Sequence, residues 1–312
     1  MSPRVRTLAL VAVAALAAGA AGCGVGAGKG ASDVTVTVTR DFGSVPIGAR
    51  TLEGTPGSET VMRLLQREFS VTTRYGGGFV QSIDGLSGGS AGGRRVDWFY
   101  YVNGIEASSG AADAGVDGGD RIWWDRHDWG AAMRVPAVVG SFPEPFVHGT
   151  GGRRLPVVLA CAPGSDAACA TVGDRLEALG VPAARSVLGT GAGEKVLRVL
   201  VGPWSQVRRD GSATLIADGP RLSGVYVRIT GGGATIQTLD ARGDPVRRLG
   251  PGSGLVAATR LEEQQPTWVV TGTDAAGVRA AASAFREADL RNRFALAVAP
   301  GGGRLALPER AR

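Results

Sequence analysis

Residues 93–129 read GRRVDWFYYVNGIEASSGAADAGVDGGDRIWWDRHDW, and the two extended segments inside this stretch organise the chain. It carries Trp98, Trp123, Trp124 and Trp129, four of the six tryptophans, together with Tyr100 and Tyr101. Aromatic and β-branched residues suit a pleated, half-buried surface. Alternation sends Val96, Trp98, Tyr100 and Val102 to one face of a strand and Phe99 and Tyr101 to the other. Asn103-Gly104 ends this strand as a turn pair, because both residues tolerate positive φ. Asp117-Gly118-Gly119-Asp120 turns the chain again, into a second strand at Arg121-Ile122-Trp123-Trp124. Val96, Trp98, Tyr100, Ile122 and Trp124 are expected to fill a core. Phe99, Tyr101, Trp123, His127 and Trp129 are expected to form an exposed binding face, since aromatic and amphipathic side chains favour interfaces.

Upstream, Val34–Thr39 alternates Val and Thr strictly and predicts a strand with Val buried. Asp41–Gly57 is turn-rich. The run SETVMRLLQREF predicts a helix capped by Ser58 or Thr60, with Val61, Leu64, Leu65 and Phe69 on one face. Tyr75–Leu86 reads as a further strand and turn. In order, a strand, T-V-x-x-L-L, G-x-F-V-x-S-I-D-G-L, D-W-F-Y-Y-V-N-G and G-V-D-G-G-D-R-I-W-W fill residues 33–130. This succession resembles the transcobalamin-like C-terminal domain, a domain of unassigned function in bacterial surface proteins. The resemblance implies a small α+β module, one helix packed on antiparallel strands. In animal cobalamin carriers such a domain closes over a corrin, so the resemblance also implies corrinoid or other small-molecule capture as one alternative for the aromatic face. The helical partner domain of those carriers has no counterpart in the rest of this chain.

Residues 1–23 carry Arg4 and Arg6 before an uncharged run from Leu8 to Ala21 and end on Ala20-Ala21-Gly22-Cys23. A helix over that run reaches about 21 Å, short of the roughly 30 Å hydrocarbon core. It reads as an export signal, and it resembles a bacterial lipoprotein signal in which Cys23 is acylated, for example with palmitate, and becomes the new N-terminus. Simple secretion after Ala18-Gly19-Ala20 is the alternative. Residues 24–32 are a Gly/Ala tether.

The Pro- and Gly-rich stretch 131–154 predicts a linker. Residues 155–300 alternate strands and helices and predict an α/β sandwich domain of unknown function. They include a helix around Cys169 with Val172, Leu176 and Leu179 on one face, and a helix from Asp274 capped by Thr273 or Asp274 with Gly277 allowing close packing. The segments LEALGVPA and LRVLVGPW look like the small peptidoglycan-binding repeats of the cell envelope. Residues 301–312 are expected to be a disordered tail.

The net charge of +6 is spread over arginines interspersed with acids, with Lys only at 29 and 195. That pattern excludes the basic patch nucleic acid would need. Cys161 and Cys169 enclose seven residues of an exported chain and are expected as a disulfide. No metal site is expected, since His127 and His148 share no ligand spacing with the cysteines. Ser87 within Gly85-Leu86-Ser87-Gly88-Gly89 matches G-x-S-x-G, but it leads into another strand rather than a helix. Asp125, His127 and Asp128 form a carboxylate–imidazole cluster with no placed nucleophile. The reading is therefore of a lipid-anchored protein on the outer face of the cell membrane that binds an unidentified small-molecule or envelope partner, with no cofactor and no enzymatic activity. Corrinoid binding, peptidoglycan association and, last, hydrolysis are its rivals.

Overall fold

The structure, a computed structural model, describes residues 32–55, 57–191 and 193–310. The leader, Cys23 and the tether up to residue 31 lie outside the described residues. The fold is mixed α/β, rich in strands, with several sheets and few helices. The N-terminal half runs β1 (Ser32–Arg40), β2 (Val45–Thr55), α1 (Val61–Glu68), β3 (Val71–Arg74), β4 (Phe79–Ile83), β5 (Leu86–Ser87), β6 (Gly89–Ala91), β7 (Arg94–Val102), β8 (Ile105–Glu106) and β9 (Arg121–Asp128). Its main sheet has the order β2-β1-β9-β7-β6, with β8 on β7; β3, β4 and β5 form a small sheet of their own.

The expectation of purely antiparallel strands is corrected at one pair. β7 and β9 are antiparallel, with Tyr100 opposite Trp124, whereas β1 and β9 are parallel, with Val36 beside Ile122. A crossover through α1 and the small sheet separates them, and such a connection is what parallel neighbours require. β2 lies in the stretch expected to be turns. Pro46, Gly48 and Gly54 hide its strand character, and it exists through its ladder with β1 at the sheet edge, where such residues are tolerated.

Helix α1 begins at Thr60, whose hydroxyl accepts Arg63 N–H at 3.3 Å. Its apolar stripe, Val61, Met62, Leu64 and Leu65, packs on Val34, Val36 and Val38 of β1 and on Trp98, Tyr100, Ile122 and Trp124. The face expected as core is core.

The second half contains β10 (Val157–Cys161), α2 (Asp166–Ala178), β11 (Ala183–Val187), β12 (Leu197–Pro203), α3 (Trp204–Val207), α4 (Gly211–Thr214) and α5 (Pro220–Ser223). β13 (Val227–Thr230), β14 (Thr235–Leu239) and β15 (Pro245–Leu249) follow as a three-stranded sheet. The chain continues through β16 (Gly254–Thr259), β17 (Thr267–Gly272), α6 (Ala275–Ala284), α7 (Glu287–Leu290), β18 (Ala295–Val298) and β19 (Arg304–Leu307). A seven-stranded sheet, β11-β10-β12-β17-β16-β18-β19, is parallel from β11 to β17 and antiparallel beyond. Strand alternation divides its residues. Leu159, Val199, Val270 and Val298 face α2 and α6; Ala160, Leu200, Val269 and Ala297 face α3, α4, the three-stranded sheet and the N-terminal half.

Two expected boundaries are corrected. Residues 131–154 are a packed segment rather than a loose linker: Ala132, Val135 and Val138 enter one core, while Ala137, Val139, Phe142 and Phe146 enter the other. Apolar residues between the prolines outweigh the turn-forming composition. Residues 301–310 are structured rather than a disordered tail. Arg304–Leu307 extends the sheet as β19, and Glu309 accepts from Thr238 Oγ1 and Arg247 Nη2 at 2.6 and 2.7 Å.

Cys161 and Cys169 are joined by a disulfide between β10 and α2. Removing it by a double serine substitution is expected to cost about 2–3 kcal/mol from the chain-entropy effect of a loop this short, read as a lower urea midpoint. Along α2, Val172 and Leu176 are buried, but Leu179 is 39% exposed; Val181, beyond the Gly180 turn, takes the buried place instead.

Asp274 caps α6. Its Oδ1 accepts Gly277 N–H and its Oδ2 accepts Gly252 N–H, both at 2.8 Å. The Gly277 bond, foremost, holds the Asp274 carboxyl below its usual range. A depressed folded-state pKa contributes stability above the unfolded value of about 3.9, lost as pH falls through the folded value. Asp274→Ala is therefore expected to cost about 0.5–2 kcal/mol at neutral pH. Urea melts repeated toward pH 2 should show the difference from wild type shrinking.

Candidate functional site

The seam between the two halves is built on the second face of the aromatic strands. Asp125 stands at its centre, fully buried. Phe42 N–H and Gly43 N–H donate to its two oxygens at 3.0 and 2.8 Å. Thr39 Oγ1 donates to Oδ2 while accepting Trp123 Nε1–H at 2.7 Å, and His127 Nδ1 lies 3.0 Å from Oδ1. The carboxylate thereby holds the β1–β2 turn, where Asp41, Phe42 and Gly43 all have positive φ, at 55°, 59° and 78°. A side chain at Gly43 would also strike the Asn292 carbonyl at 1.9 Å. The turn carries Phe42 into the seam, where it meets His127, Tyr226 and Phe294 with ring centroids 4.6, 5.1 and 5.0 Å apart. His127 stacks on Phe99 at 4.5 Å.

This arrangement corrects the expected exposed platform. Tyr101, Trp123 and His127 are at most 2% exposed, and Phe99 and Trp129 are half-buried. Alternation placed the first four of these residues on one face, but the second half of the chain covers that face with Phe294, Tyr226 and the 131–138 segment. Trp129, past the end of β9, instead donates to Asp97 Oδ2 at 2.9 Å with Arg95 over its ring.

The Asp125–His127–Asp128 cluster is structural in the same way. Asp128 Oδ1 accepts Gly130 N–H at 2.9 Å. Ser87 lies on the other side of β9, its carbonyl accepting Arg126 Nε–H at 2.7 Å, so the alternating strand keeps it from His127. His148 pairs with Glu144 at 2.6 Å, away from His127. Among the described residues, no three His, Cys, Asp or Glu are placed to hold a metal ion. Deep in the seam, burial foremost raises the Tyr101 phenol well above its usual range, with Glu106 and Asp125 adding to it. Glu106 is itself raised by burial although Arg134 lies 3.3 Å away.

Two clefts open at the edges of the seam. The larger, about 690 Å³, lies at the Arg40 end of β1, where four arginines (40, 94, 242 and 310) and four acids (Asp41, Asp128, Asp240 and Glu309) balance. The smaller, about 260 Å³, lies over the part of the β1–β2–β9 face that the second half leaves uncovered. Thr35, Thr37 and Thr51 stand on its floor beside Trp123; Ser141 and Asn292 close it from the second half, and Arg121 and Arg291 rim it. Glu287 Oε1 accepts from both guanidiniums, at 2.6 and 2.9 Å. Burial pushes the Glu287 carboxyl up, but the hydrogen bonds from Arg121 and Arg291 outweigh it and hold the group below its usual range. One ionised carboxylate thus faces two cations. The side chains of Thr35, Thr37, Thr51 and Asn292 make no hydrogen bond to another described residue, and Ser141 Oγ is buried without a partner. Of the residues proposed from sequence, Trp123 alone lines this cleft. Thr35 and Thr37 read only as the outward half of an alternating strand and Thr51 fell in the stretch expected to be turns, while Ser141, Arg291 and Asn292 gave no signal, because they join the site through the packing of the second half.

Comparison with known proteins reaches only part of the chain. Residues 58–128, from before α1 to the end of β9, match a family described as "Domain of unknown function (DUF4430)". Among solved structures, one described as "a putative metal binding protein from Ruminococcus gnavus ATCC 29149" is 16% identical, covering 31% of this chain and 97% of that one, with a TM-score of 0.25. No curated protein matches. No helix among the described residues is long and apolar enough to cross a membrane.

Proposed function

We propose that the chain is an exported, lipid-anchored and non-catalytic binding protein of the cell envelope. Its N-terminal half is a transcobalamin-like module, and its ligand is a small polar molecule held in the 260 Å³ cleft. The leader ending in Cys23 supports the location. The observation that carries the binding role is the convergence, from both halves of the chain, of five hydrogen-bonding side chains without a partner among the described residues. Such a concave site with a few placed polar groups is the usual form of a ligand pocket. Corrinoid capture by the aromatic face is not proposed, because that face is packed inside the protein. Attachment to peptidoglycan stays as the second reading, in which the cleft takes part of the wall polymer.

The test is capture. Mature protein is incubated with solubilised cell-wall fragments and the low-molecular-weight pool, and retained molecules are identified by mass spectrometry. Thr51→Trp, at an exposed strand position that accepts an aromatic residue, fills the cleft and is expected to abolish retention without changing the melting temperature. Retention undiminished in this variant refutes the assignment of the site. Mass spectrometry of the N-terminal peptide checks the anchor: the expected species is acylated at Cys23, and cleavage after Ala20 overturns it.

A further inference from the structure

We infer that the cleft selects a sugar ring bearing a single acidic group. This deepens the proposed binding role and rests on it. The first argument is charge. Three arginines line the cleft: Arg121 and Arg291 share one oxygen of Glu287, and Arg50 lies 4.0 Å from Glu68, so among the described residues three cations meet two carboxylates and the rim keeps a net positive charge. The second is unused donors. Arg121 commits only Nη1, to Glu287 and the Phe142 carbonyl, and Arg291 only Nη2. Each retains Nε–H and a second Nη among the described residues, the geometry that takes a carboxylate or a phosphate in two parallel bonds.

The third argument is the floor. Thr35 lies directly across from Thr51, and Thr37 is two residues along the same strand. Strand geometry sets these hydroxyls about 5 by 7 Å apart, the width of one pyranose ring. Hydroxyl groups both donate and accept, as does the Asn292 amide, which matches ring hydroxyls that do the same. Trp123 has its Nε1–H committed to Thr39, so it presents only ring carbon to the cleft. The volume of about 260 Å³ is slightly below the roughly 300–1,000 Å³ of drug-sized pockets, which fits one ring and not a chain of rings.

Isothermal titration of the mature protein separates the contributions. The acidic sugars are glucuronate, galacturonate and N-acetylmuramate; glucose supplies hydroxyls alone, and acetate and inorganic phosphate supply charge alone. At least one acidic sugar is expected to bind about tenfold or more tightly than glucose, acetate or phosphate, the difference one charged hydrogen-bonded contact makes. Arg291→Gln, at a side chain 67% exposed, is expected to bring that sugar down to the level of glucose. Thr51→Val should weaken it while leaving acetate unchanged. Phosphate or acetate binding as tightly as every acidic sugar makes the cleft a plain anion site and overturns the inference. Glucose binding equally well overturns it too, as does an unaltered affinity in Arg291→Gln. If no acidic sugar binds while Thr51→Trp still abolishes capture, the sugar class is wrong and the binding role stands; if capture also persists, both fall.

Discussion

Replacing Asp125 by alanine is expected to destabilise the protein by about 3–5 kcal/mol, the range for stripping a buried polar network of its central charged partner. The size follows from what the carboxylate satisfies. Without it the amides of Phe42 and Gly43 and the Thr39 hydroxyl lose their acceptor, Phe42 and Thr39 in a place water does not reach, and His127 loses its neighbour. The left-handed turn at Asp41–Gly43 loses its clamp, and Phe42 loses its fixed entry to the seam. Urea denaturation followed by tryptophan fluorescence measures the effect, since Trp123 is tied into the same network. Asp125→Asn supplies the control. It keeps one acceptor oxygen and should recover part of the loss; a loss below about 1 kcal/mol in the alanine variant, the worth of a single ordinary hydrogen bond, contradicts the central role given to this residue.

The second large effect is expected at Gly277. A methyl group there would come within 2.0 Å of the Ser253 carbonyl oxygen, and methyl groups at Gly254 and Gly272 would meet the α6 backbone at 2.5 and 2.4 Å. Helix α6 therefore lies backbone to backbone on β16 and β17. Gly277→Ala must push the helix off the sheet and disturb the contacts of Val278, Ala281 and Ala282. Overpacking of this kind costs about 1–3 kcal/mol, more when the obstruction is backbone that cannot rotate away, and we expect the upper end. An alanine at exposed Ala276's neighbour Arg279, on the outer side of the same helix, should change stability by less than about 0.5 kcal/mol. Comparable losses in both variants would show that α6 is held by something other than this close approach.

Much of the local structure is legible in the sequence. The Val/Thr alternation of 34–39 defined β1 and its buried side; Ser58 or Thr60 with the stripe beginning at Val61 marked α1, and Thr273 or Asp274 with Gly277 marked the start of α6, the structure choosing Thr60 and Asp274 as the caps. In each case a short-range pattern states its own physics: a period, a cap, a close approach. β2 was not legible, because its sequence carries Pro and Gly and its conformation comes from its partner β1. The packed segment 131–154 was not legible either. Its prolines and glycines signal turns, and its apolar residues signal burial only when there are two cores to receive them.

The same line divides the candidate site. By itself the sequence determined that Phe99, Tyr101, Trp123 and His127 share one face of two neighbouring strands, because side chains of an extended chain alternate whatever lies outside it. Whether that face meets water or protein depends on a covering layer roughly one to two hundred residues further along the chain, where Tyr226 and Phe294 carry no mark of their destination. Only the tertiary structure decided that the aromatic residues are glue between the halves. It also left the polar strip of Thr35, Thr37 and Thr51 open as the cleft, since burying large aromatic area stabilises strongly while covering unpaired hydroxyls does not.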